Sequence, residues 1–158
     1  LRSRKDKDNN GMGRKFSAVL LVLALGISGA VSAAPDIREY PVPSGSHPHD
    51  VAPATDGGVW YTAQNSGELG HLDPKSGRTS HIGLGSGSAP HGVIVGPDGA
   101  PWITTPGSTS SCASTPKSEK STVYPLPSRG ARVRQILGRP GEVWLPESGT
   151  NKLAVIRE

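Results

Sequence analysis

From His47 onward the chain is a succession of short apolar or β-branched runs, each closed by a turn. His49 to Ala52 ends at Pro53-Ala54-Thr55-Asp56-Gly57-Gly58, where the Asp-Gly pair suits the positive φ of a tight turn. Val59-Trp60-Tyr61-Thr62 has the β-branched and aromatic content of a buried pleated layer and predicts a second strand. Glu68 to Leu72 predicts a third, closed by Asp73-Pro74-Lys75-Ser76-Gly77, in which proline presets φ and glycine takes the left-handed position. Thr79 to Leu84 predicts the fourth. No helical period is present in this part of the chain.

The four-strand pattern returns at a fixed distance. His91, Gly99, Trp102 and Thr104 each stand 42 residues after His49, Gly57, Trp60 and Thr62. Tyr124-Pro125-Leu126-Pro127 stands 84 after Tyr40-Pro41-Val42-Pro43, and Gly141, Val143 and Trp144 stand 84 after Gly57, Val59 and Trp60. A repeat of about 40–50 residues with an aromatic and a turn glycine at constant phase is the mark of propeller blades. The chain is therefore expected to be all-β, with three units at about 39–80, 81–122 and 123–158 forming an incomplete propeller. Trp60, Trp102 and Trp144 are expected on the second strand of each unit, packed between blades. The polar stretch Ser108 to Ser121 is expected to be loop.

Residues 1–33 lie outside the repeat. Arg14 and Lys15 precede the apolar run Phe16 to Ile27, and Val31-Ser32-Ala33 offers the small residues of a signal-peptidase site. The run is shorter than the roughly 20 residues of a spanning helix, so the expectation is an exported chain, periplasmic or extracellular, with no stable membrane anchor. Met12 is the expected start of translation.

Setting the leader aside changes the charge. It holds six of the 17 Lys and Arg and two of the 13 Asp and Glu, which leaves 11 of each sign in the remainder. The net charge of +4 therefore gives no basic face for nucleic acid. The single cysteine, Cys112, permits neither an intrachain disulfide nor a cysteine metal site and is expected as a free surface thiol.

Several phrases resemble the virginiamycin B lyases, or streptogramin lyases: Glu39-Tyr-Pro-Val-Pro43, GELGHLDPKSG from Gly67, PHGVIVGPDGAPWIT from Pro90 and VWLPESGTNKLAVIR from Val143. The resemblance implies seven-bladed propellers that linearise cyclic streptogramin B lactones, a class of cyclic depsipeptide, by elimination, with magnesium in the central cavity. Matching Pro-His phrases in the family supply one magnesium-binding histidine and one general base, the latter two positions after a metal-binding glutamate. Carried over, His49 is a metal ligand and His91 the base, and Ala89 stands where the glutamate would be. Glu147, three residues after Trp144, is the carboxylate that would substitute; as a lone acid its other reading is solvent exposure. The chain departs from the pattern in having three units and in lacking the histidine phrase in the third, near Arg132 to Leu137. Closure by a second copy of the chain would give six blades.

For His49 and His91 the plain alternative is a turn at the start of a blade, the imidazole satisfying neighbouring backbone groups. His47, His71 and His81 are expected at the surface, and Asp56, Asp73 and Asp98 in turn chemistry. Two functional alternatives to the lyase stay open: a noncatalytic exported binding propeller, and a nonfunctional shortened remnant.

Overall fold

The computed structural model describes residues 35–109, 111–114 and 121–157, and the compact unit below begins at Arg38. The leader read at 1–33 lies outside the described residues. Among those residues no helix is long and apolar enough to cross a membrane.

Among the described residues, eleven strands form three antiparallel meanders. The first joins β1 (Pro48–Pro53), β2 (Val59–Ala63), β3 (Glu68–Leu72) and β4 (Thr79–Gly83) in chain order. The second joins β5 (Val93–Val95), β6 (Pro101–Thr105), β7 (Ser111–Ser114) and β8 (Thr122–Pro125), with one helical turn, α1 (Pro106–Thr109), between β6 and β7. The third joins β9 (Leu137–Arg139), β10 (Glu142–Glu147) and β11 (Lys152–Arg157). These are three blades of a propeller, and the all-β, incomplete-propeller reading holds. The turn aspartates act as expected: Asp56 accepts from the Gly58 amide, Asp98 from the Ala100 amide and Asp73 from the Lys75 amide.

One expectation is corrected. Ser108 to Ser121 is not all loop, because Ser111–Ser114 pairs with β6 from Trp102↔Ser114 to Thr105↔Ser111 and with β8 on its other side. Two flanking strands present unfilled amides and carbonyls, and a ladder satisfies them whatever the side chains are. Apolar alternation reports burial of a face, not the presence of a strand.

The blades pack through alternating faces. Ala52, Leu69, Val93 and Ile103 form the core between the first and second sheets, with Trp60 and Ile82 against it. Trp102, Ala131, Val133, Val143 and Leu145 form the core between the second and third, with Tyr124 stacked on Trp102 at 5.2 Å. The outer face of the first sheet, Tyr61, Ala63 and Leu72, is covered by Tyr40 and Val42. The three tryptophans occupy second strands, as expected, but interblade packing holds for two, half-buried Trp60 and buried Trp102. Trp60 faces the second sheet and Trp102, 1% exposed, faces the third. Val143 and Leu145 are the residues that β10 turns toward the second sheet, so Trp144 between them lies on the opposite face and joins no buried cluster. Its indole N–H donates to Glu142 at 2.8 Å, and Arg139 lies over its ring.

Candidate functional site at the inner strands

Each blade begins with the same backbone device. Gly45, Gly87 and Gly130 adopt positive φ, and so do the non-glycine residues two positions later, His47 (52°), Ala89 (45°) and Arg132 (49°). Between them sit Ser46, Ser88 and Ala131, all buried. Their carbonyls accept from the amides of Asn65, Gly107 and Gly149, just beyond the second strand of each blade. A left-handed non-glycine residue costs of order 1–3 kcal/mol and persists where its surroundings fix it, often at functional sites. Two residues further on, the device delivers His49, His91 and Arg134 to equivalent positions.

Arg134 was missed because the repeat slips by one residue there. Pro53 pairs with Val59 and Val95 with Pro101, whereas Gly138 pairs with Val143, so the third turn is one residue shorter. Phase counted from the tryptophans therefore points to Val133.

Threonines tie these inner positions to the next blade. Thr62 Oγ1 accepts from the Asp50 amide at 3.0 Å and donates to the His91 carbonyl at 2.8 Å. Thr104 Oγ1 repeats the arrangement, accepting from the Gly92 amide at 2.8 Å and donating to the Arg134 carbonyl at 3.2 Å. The backbone that carries His91 and Arg134 is thus held from the preceding blade.

The structure brings His49 and His91 together, their ring centroids 3.7 Å apart and tilted by 46°. It also adds Asp50, which sequence reading missed. Strand alternation would send Asp50 to the face opposite His49, but the register of β1 shifts between Pro48 and Val51. Such a bulge re-aims side chains. His49 Nδ1–H accordingly donates to Asp50 Oδ1 at 3.0 Å, and one ligand-capable atom from each of His49, Asp50 and His91 lies within 4.8 Å of the others.

His91 is the buried member, 8% exposed, and its Nδ1 has no hydrogen-bond partner. Burial pushes its pKa below the ordinary histidine value, and the charges of His49 and Arg134 push the same way, against Asp50 and a backbone hydrogen bond with Arg134. Burial thus favours the neutral form of the His91 imidazole, which lies beside an exposed partner ring.

Glu147 lies outside this group. It is 3% exposed, which corrects the reading of a solvent-exposed acid. The Thr150 hydroxyl donates to it at 2.6 Å, and hydrogen bonds from Thr150 and Ser128 hold its pKa below the usual carboxylate range. Hydroxyl donors let a lone carboxylate stay under cover. His47 is exposed, but His71 and His81 have partners: His71 donates to Asp56 and packs on Trp60, and His81 hydrogen-bonds the Tyr61 hydroxyl at 2.6 Å.

Magnesium prefers an octahedral shell of oxygens. Two imidazoles and one carboxylate are a poor set for it, and Ala89 brings no oxygen to the site.

Fold and site together define a blade-repeat protein whose inner strands present a histidine pair. The chain belongs to the virginiamycin B lyase family, whose family model matches residues 26–158. Among solved structures it is similar to a catalytically inactive histidine-to-alanine variant of virginiamycin B lyase from Staphylococcus aureus, with quinupristin. Identity is 26% and the TM-score 0.72, over 78% of this chain and 42% of that one. A streptogramin B lyase structure matches at 26% identity and TM-score 0.66, over 76% and 44%. Selenomethionine-substituted S. aureus virginiamycin B lyase matches at 24% and 0.67, over 78% and 45%. The chain thus spans less than half the length of these lyases. No curated protein sequence matches it.

Proposed function

We propose that this is an exported propeller protein that opens a cyclic depsipeptide lactone by elimination, with His91 as the general base. The observation that carries the reading is the buried His91 imidazole, its Nδ1 unpartnered and its pKa pushed down by burial, in a family with a member inactivated by loss of one histidine. The quinupristin held by that relative suggests the ligand class for this chain. Export is supported by the order of basic, apolar and small residues in the leader.

In the proposed step His91 takes the proton from the Cα that lies between the carbonyl and the ester-bearing Cβ. The electron pair forms the Cα–Cβ double bond, the Cβ–O bond breaks, and the ester leaves as a carboxylate. Negative charge develops on the neighbouring carbonyl oxygen, and Arg134, whose charge acts on His91, is the cation available to meet it. Asp50 fixes the orientation of the His49 ring beside the base. The absent carboxylate at Ala89 favours a second reading, a propeller that binds such a ring without opening it. Ring opening by the wild-type chain and by His91→Ala, followed through the absorbance of the new carbonyl-conjugated double bond, separates them: the lyase reading requires turnover that the variant loses.

A further inference from the structure

We infer that His49, Asp50 and His91 form a binding site for a first-row transition-metal dication, not for magnesium. Two imidazoles and one carboxylate, with further positions open to water, are the donor set that holds Fe(II), Zn(II) or Co(II). The β1 bulge already places His49 Nδ1 and Asp50 Oδ1 3.0 Å apart. That equals the edge of a six-coordinate shell with bonds of about 2.1 Å. His91 supplies an independent sign of a missing partner, since its Nδ1 is buried and makes no hydrogen bond. A buried polar nitrogen without a partner is costly, and a cation would satisfy it. These atoms, within 4.8 Å of one another, must draw in by roughly 1–2 Å to share a centre, and binding exchanges the hydrogen bond of His49 Nδ1–H to Asp50 for bonds to the metal, the proton leaving that nitrogen.

The site also bears on the base. A cation on the His91 nitrogen occupies the lone pair that would take a proton, so a bound transition metal should suppress elimination. The inference uses the same histidines as the lyase reading but does not need turnover, because binding is read without substrate. A chain that opens the lactone yet binds no cobalt loses this inference alone, and one that binds cobalt yet opens nothing loses the lyase reading alone.

The test is titration of the full metal-free chain with Co(II), read by its visible d–d absorption, followed by challenge with Zn(II) or excess Mg(II). The expected result is one Co(II) per chain, displaced by Zn(II) and not by Mg(II). Asp50→Asn, which keeps shape at a part-exposed position, should weaken binding at least about tenfold, as should His49→Ala. His47→Asn, at an exposed left-handed position that asparagine tolerates, should leave it unchanged. Absence of binding, displacement by Mg(II), a thiolate charge-transfer band from Cys112, or equal weakening by His47→Asn would overturn the inference.

Discussion

Thr62 on one blade holds the His91 backbone of the next, its hydroxyl donating to the His91 carbonyl at 2.8 Å while accepting from the Asp50 amide at 3.0 Å. One side chain thereby fixes both halves of the histidine site, and it is buried. Thr62→Val keeps the shape and takes this partner from a part-buried amide and a buried carbonyl. It should cost about 1–3 kcal/mol in urea unfolding, with Thr62→Ser recovering most of the loss. Equal stability of Thr62→Val and wild type would remove the clamp from the account.

Trp102 and Trp144 share a repeat position and differ in burial. Trp102→Ala should cost about 3–5 kcal/mol, because it empties the core between the second and third sheets. Trp144→Ala should cost about 1 kcal/mol or less, since the ring joins no buried cluster. Denaturant midpoints measure both; similar losses would mean that Trp144 is covered.

Acid should destabilise the fold through His91. Its folded pKa lies below the unfolded value, so the unfolded chain binds the extra proton first. This contribution is fully present above the ordinary histidine value of about 6.5 and is lost as pH falls below it. The urea midpoint should drop from about pH 7.5 to 5.5, and His91→Gln should flatten that part of the curve. An unchanged slope in the variant would assign the loss to other groups.

The blades, the tryptophan positions and the matching places of His49 and His91 in successive units were legible because each rests on period: alternation within strands and 42 residues between units. Asp50 was not, because a bulge breaks the alternation that would have hidden its carboxylate on the other face. Arg134 was not, because a shortened turn restores the tryptophan phase while the inner strand runs one residue late. The strand Ser111–Ser114 was invisible because its pairing is carried by backbone groups. Burial of Glu147 depends on hydroxyls from Thr150 and Ser128 that meet it only in the folded chain.

His91→Ala should lower the rate of lactone opening by about 10²–10⁴-fold with the far-ultraviolet circular dichroism unchanged, the loss expected for removal of a general base. Because the base is neutral down to lower pH than ordinary, the rising limb of the rate profile should fall below about pH 6.5. A rate limb set by another group would survive in His91→Gln.

The most direct test of the lyase reading is the mass of the product formed when the purified chain meets a streptogramin B lactone. Elimination predicts a ring-opened product of unchanged mass carrying a new double bond. A product heavier by one water, or an intact lactone recovered after incubation with the folded chain, would contradict it.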